Sequence, residues 1–209
     1  MDYALEALIK IGEVNKYKNI EDNDPELFTL IYDEIASIFF NKYDSQKNFY
    51  QICRGNYIEA AKYYELSLKL KIKLYGMKHP KVGFSFLALG KAYYLARDHA
   101  KAFQKLSSGT DVIEAIEGRN NVYSANTNIL MAKIKFEVGD YTKAMGLYER
   151  GLDIYTQLYG ISHSYCLRVY INLIHLCFIC QNMAKLEQVI ERTMKAIDET
   201  VIILTFFIN

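Results

Sequence analysis

Residues 86–106 read FLALGKAYYLARDHAKAFQKL. Phe86, Leu89, Gly90 and Tyr93 share one face at helical spacing, and Ala102 and Leu106 begin a second stripe beyond Arg97-Asp98. That is the pattern of two amphipathic helices joined by a tight turn. The same pattern returns along the chain. Leu74-Tyr75-Gly76, Ile116-Glu117-Gly118 and Leu158-Tyr159-Gly160 are spaced by 42 residues, as are Ala60, Ala102 and Ala144. Gly55-Asn56-Tyr57, Arg97-Asp98-His99, Gly139-Asp140-Tyr141 and Gln181-Asn182-Met183 follow the same step. A fixed period of this length marks a helical repeat, because one helix pair cannot bury its apolar faces alone and must stack on a neighbour. Asp98, Asp140 and Asn182 stand where a side-chain oxygen caps the second helix.

Composition is consistent with this reading. Of 209 residues, 51% are hydrophobic and 23% charged, which is globular rather than disordered. Two prolines and eleven glycines leave too few turn punctuators for a β-sandwich or barrel. Twenty-five Lys and Arg against 24 Asp and Glu give a net charge of +1, so no overall basic field points to nucleic acid or an anionic membrane. The apolar run Val201–Ile208 is too short to span a bilayer, which takes ~20 helical residues. Four dispersed cysteines and the lack of a leader or an N-x-[ST] acceptor predict a cytoplasmic protein.

The residues also carry a family likeness. Phe86-x-x-Leu89-Gly90-x-x-Tyr93 followed by Ala102-x-x-x-Leu106 resembles the tetratricopeptide repeat signature, with Phe for Trp and Leu for Phe. Gly139-Asp140-Tyr141-x-x-Ala144-x-x-x-Tyr148 and Gly55-Asn56-Tyr57-x-x-Ala60-x-x-x-Tyr64 repeat its second half. The 42-residue step and the segment Leu74-Tyr75-Gly76-x-x-His79-Pro80-x-Val82 are similar to the long repeats of kinesin light chains. The helical C-terminal region of SET–MYND proteins resembles it too. The likeness implies an all-α fold, a right-handed superhelical solenoid of antiparallel helix pairs. It implies a non-catalytic scaffold that binds a peptide or protein partner in a concave groove, with no cofactor or metal. The alternative it leaves open is the helical part of a larger enzyme such as a SET–MYND lysine methyltransferase.

One domain of repeats is expected over 1–209. A half repeat covers 2–18, full repeats cover 24–78, 79–120, 121–162 and 163–198, and an apolar tail covers 199–209. Pro25 and Pro80 read as first-turn prolines, and their separation of 55 places an insertion of about 13 residues at 41–53 of the first full repeat. First helices are expected to begin near Pro25, Lys81, Tyr123 and Ser164. The tail is expected either to pack on the last helix pair or to mediate a weak homodimer.

Candidate site residues follow from the same step. Lys91, Lys133 and His175 share one first-helix position, with an aromatic row Tyr94, Phe136 and Phe178 one turn away. Phe39 joins that row at a step of 55. Asn126 and Arg168 share an earlier position. The plainer reading makes the aromatics packing residues and the lysines solvated. The functional reading is a basic groove with aromatic shelves, suited to an acidic segment with an aromatic anchor. Cys177-x-x-Cys180 with His175 has no second ligand pair, so buried structural thiols are expected rather than a metal site. No nucleophile–base set or phosphate-binding glycine loop is present in the sequence.

Overall fold

The fold comes from a computed structural model, which describes Ile9, residues 24–41 and residues 49–208, with side chains for Ile9 and over 24–40 and 56–198. The chain divides into two compact units, 1–116 and 117–209, each taken by itself. The first contains α1 (Pro25–Asn41), α2 (Phe49–Tyr75), α3 (Pro80–Leu95) and α4 (His99–Glu117). The second contains α5 (Val122–Glu137), α6 (Tyr141–Tyr159), α7 (Ser164–Ile179) and α8 (Met183–Ile208). Ile9 is helical as well, and the described residues hold no strand. From α3 onward both the first helices (80, 122, 164) and the second helices (99, 141, 183) begin at steps of 42.

Local chemistry fixes those starts. Gly76 and Gly160 end α2 and α6 at φ of 78° and 85°, the left-handed region that glycine enters without a Cβ penalty. Three residues on, His79 and His163 accept the backbone N–H of Lys81 and Tyr165 at Nδ1, each at 3.2 Å. Tyr75 and Tyr159 stack on those imidazoles, with ring centres 4.7 Å apart in both turns. In the middle repeat Asn121 takes the cap, accepting from the Ser124 N–H at 2.8 Å. The second helices are capped as expected. Asp98, Asp140 and Asn182 accept from the N–H three residues ahead at 3.1, 3.4 and 3.1 Å.

Packing uses small residues at the contacts. Ala60, Ala102 and Ala144 are wholly buried. A Cβ at Gly90 would stand 2.6 Å from Leu106 Cγ, which shows how closely α3 approaches α4. In the first unit Phe28, Tyr32, Ile35 and Leu70 form a buried cluster that Ile9 joins from its edge. In the second, Tyr148, Leu152, Tyr155, Val169, Tyr170 and Leu173 anchor a larger cluster reaching Val189 and Ala196.

Three sequence expectations change. Gly55-Asn56-Tyr57 is not a turn but lies inside α2, because the helix begins at Phe49 and takes in the end of the insertion segment. Residues 42–48 lie outside the described residues. Second, the buried faces of α1 and α3 align at a step of 54, setting Phe28, Tyr32 and Ile35 on Val82, Phe86 and Leu89. First-turn prolines mark where a helix starts, not how its buried stripe is rotated. Phe40, not Phe39, is therefore the equivalent of Tyr94. Third, Cys177 is buried but Cys180, which caps the end of α7, is exposed. The half repeat at 2–18, apart from Ile9, and the side chains of the tail at 199–209 lie outside the described residues. Among the described residues no helix is long and apolar enough to cross a membrane.

Candidate functional site

Each unit holds a cleft built from two successive first helices and the second helix between them. In the second unit, Asn126 and Lys133 of α5, Tyr155 of α6, and Tyr165, Arg168 and Asn172 of α7 line a space of about 360 Å³. The 42-residue step explains the meeting of Asn126 and Arg168, since equivalent positions of neighbouring first helices lie side by side. Among the described residues, two cations and no carboxylate line this cleft. Neither Lys133 nor Arg168 makes an ion pair among the described residues.

The Tyr155 and Tyr165 rings line the same space, and Tyr159 packs against both. Tyr155 and Tyr165 lie 5.2 Å apart, and Tyr159 meets Tyr165 edge-on at 5.8 Å. The Tyr155 hydroxyl donates to Asn126 Oδ1 at 2.6 Å. Burial, and then the neighbouring Tyr165 and Tyr159, push the Tyr155 hydroxyl above its ordinary pKa despite the pull of Arg168. It therefore stays protonated and keeps donating, which leaves the Asn126 amide N–H groups directed to other acceptors.

Of the residues named from the sequence, Asn126, Lys133 and Arg168 come together here. His175 is exposed, with its ring 5.6 Å from that of Phe136. Phe136 is half-buried and also packs by Tyr141 at 5.7 Å, while Phe178 is 68% exposed. Lys91 and Tyr94 belong to the first unit. There the Lys91 ammonium sits 5.2 Å from the centre of the Phe40 ring, and the Tyr94 ring lies 6.2 Å from His99. Tyr155 of α6 and Tyr165 at the start of α7 line the cleft but lie outside the first-helix rows read from the sequence. For Tyr155 the signal is the step itself, because Lys71, Ile113 and Tyr155 share one second-helix position and differ sharply in chemistry.

The first unit's cleft is larger, about 840 Å³, between α1, α2 and α3. Lys71, with its side chain 12% exposed, donates to Asp33 Oδ2 at 2.5 Å and to Ser85 Oγ at 2.8 Å. The Tyr75 hydroxyl donates to Glu26 Oε1 at 2.8 Å and accepts from Lys81 Nζ at 3.1 Å. Elsewhere, burial raises the thiol pKa of Cys166 and Cys177, so neither is an activated nucleophile. Among the described residues no group of three His, Cys, Asp or Glu side chains could hold a metal ion.

Comparison with known proteins agrees with this architecture. Two family models, each described as tetratricopeptide repeat, match residues 47–115 and 131–165. A single-residue variant of a putative kinesin light chain of Podosopora anserina, with nearly identical TPR-like repeats, superposes with a TM-score of 0.68 at 16% identity. That match covers 95% of this chain and 87% of the other. A second structure bearing that description gives 0.56 at 13% identity, covering 94% and 96%. BtubC (BKLC) from P. vanneervenii gives 0.61 at 16% identity, covering 94% and 92%. Comparison with curated protein sequences yields no match.

Proposed function

We propose that this tetratricopeptide-repeat protein, whose repeats resemble those of kinesin light chains, is a non-catalytic interaction scaffold that holds an acidic peptide segment in the cleft of its second unit. The observation that carries the reading is a cleft lined by Lys133 and Arg168 with no carboxylate among its walls. A ligand carboxylate takes charged N–H donors from those two side chains and amide donors from Asn126 and Asn172. An aromatic ligand residue finds the Tyr155 and Tyr165 rings beside them, backed by Tyr159. His175, Phe136 and Phe178 lie outside the cleft wall in the same unit and are tested beside it, and Lys91 and Tyr94 of the first unit are tested separately. Reading the chain as the helical part of a larger methyltransferase draws no support from either cleft.

The test is an acidic, aromatic-containing peptide library measured against wild type and the Lys133→Ala/Arg168→Ala double variant. Binders are expected to weaken by about tenfold or more in the double variant, as charge-assisted hydrogen bonds are lost. They are also expected to fade with salt, since Arg168 is exposed. Equal affinities, or no acidic binders, would overturn the assignment. The separate reading that the tail joins two copies weakly is checked by sedimentation of a chain lacking residues 201–209; an unchanged profile removes it.

A further inference from the structure

The first unit's cleft has the opposite chemistry, although equivalent positions build it. Phe84 stands where Asn126 and Arg168 stand in later repeats, and Ala88 where Leu130 and Asn172 stand. Apolar side chains thus replace the polar and cationic ones on the α3 wall. Phe84 is 36% exposed, and Leu30 of α1, on the same cleft, is 66% exposed. Two apolar side chains exposed on one concavity offer a surface on which an apolar side chain of a ligand can rest.

Three carboxylates of α1, Glu26, Asp33 and Glu34, face two lysines, Lys71 and Lys81, across the cleft, which leaves one negative charge in excess. Both lysines that reach it are engaged internally. Lys71 is held by Asp33 and Ser85. Lys81 is held at the Tyr75 hydroxyl and lies 4.5 Å from the centre of that ring. Glu34 is exposed and makes no ion pair among the described residues. Burial first, and then the charges of Asp33 and Glu34, push the Tyr64 hydroxyl above its ordinary pKa, so the floor of the cleft feels a negative field.

We infer that the first-unit cleft docks a partner segment carrying a lysine or arginine within a few residues of a leucine or phenylalanine, the apolar side chain resting on Leu30 and Phe84 and the cation meeting Glu34 and Glu26. The inference goes beyond the acidic ligand of the second unit, because it requires the opposite charge at a different cleft. An acidic segment would set its carboxylates against Glu34. An uncharged apolar one would leave Glu34 without a role and show no dependence on it.

The experiment uses the full chain and two labelled peptides, one containing Arg-Leu-Lys-Phe and one in which both cations are replaced by Glu. Fluorescence polarisation is read for wild type, Glu34→Lys, Phe84→Ser and the Lys133→Ala/Arg168→Ala double variant. The basic peptide is expected to bind wild type and to weaken roughly threefold to tenfold with Glu34→Lys, the scale of an exposed ion pair reversed in sign. Phe84→Ser is expected to weaken it as well, and the second-unit double variant to leave it unchanged. Circular dichroism and the thermal midpoint report whether each variant folds. If Phe84→Ser does not, Glu34→Lys decides alone, because that side chain is exposed. Absence of binding by the basic peptide would overturn the inference. So would equal affinities for wild type and Glu34→Lys, or a loss confined to the second-unit variant. Failure here leaves the acidic-ligand assignment standing, since that assignment is read with the other peptide class and the other cleft.

Discussion

The Tyr155 hydroxyl donates to Asn126 Oδ1 at 2.6 Å, so a second helix orients the amide that its own first helix offers to the cleft. Tyr155→Phe removes that bond while keeping the ring. It is expected to cost about 0.5–1.5 kcal/mol in stability and to weaken an acidic peptide several-fold, because the Asn126 amide is free to turn. Urea unfolding and peptide titration check the two effects separately. A stability loss with unchanged affinity would show that Asn126 does not face the ligand.

Lys71 and Asp33 should respond unequally to mutation. Asp33→Ala leaves a largely buried ammonium with only Ser85 as partner and is expected to cost roughly 1–3 kcal/mol. Lys71→Ile installs the residue that Ile113 supplies at the same position one repeat later. It should be near neutral, because an apolar side chain packs there and Asp33 is 36% exposed to water. Equal losses in urea would show that the ion pair, not its desolvation, sets the energy.

Ala102 and Ala144 are wholly buried on the second helices of their pairs. Replacing either with Leu should overpack the contact and cost roughly 1–3 kcal/mol. Lys143, with a side chain 69% exposed, should tolerate Leu within about ±0.5 kcal/mol. Indistinguishable urea midpoints for Ala144→Leu and Lys143→Leu would contradict the packing.

Two helical glycines should change stability in opposite directions. Gly90→Ala brings a Cβ within 2.6 Å of Leu106 Cγ and 3.0 Å of the Leu106 backbone nitrogen, so the helices must separate and stability should fall by about 1–3 kcal/mol. Gly146 has no atom within 4 Å of an added Cβ. Gly146→Ala should therefore raise stability by roughly 0.5–1 kcal/mol through reduced backbone entropy in the unfolded chain. Thermal midpoints that move together would refute the contrast.

The caps predict an acid-side pH dependence. Desolvation alone would raise the Asp98 and Asp140 carboxyls, but the backbone N–H and ammonium of Lys101 and Lys143 outweigh it and hold both below the ordinary carboxylate range. With folded values below the unfolded value of about 3.9, their contribution is complete above that pH and is lost as pH falls through the folded values. The thermal midpoint should thus be flat from neutrality to about pH 5 and decline below about pH 4. Asp98→Asn/Asp140→Asn should make the decline shallower. Parallel curves for variant and wild type would assign the acid sensitivity to other groups.

The fold was legible in the sequence because its determinants are local or repeat at one step. Gly76 and Gly160, the capping His79, Asn121 and His163, and the Asp98–Asp140–Asn182 series act within a few residues of themselves. The 42-residue step then places like positions side by side, which is why Asn126 and Arg168 line one cleft, while Lys133 joins them from one of the other rows read in the sequence. Tertiary structure decided what the step does not encode. Rotation of α1 follows its buried face rather than its first proline, because burying Phe28, Tyr32 and Ile35 outweighs the position of the N-terminus. The aromatic edge of the second cleft comes from α6 as well as α7, since a cleft floor belongs to the second helix between two first helices. The sign of each cleft depends on which charges are neutralised across helices. Lys71 is cancelled by Asp33, 38 residues away, whereas Lys133 and Arg168 meet no carboxylate in theirs.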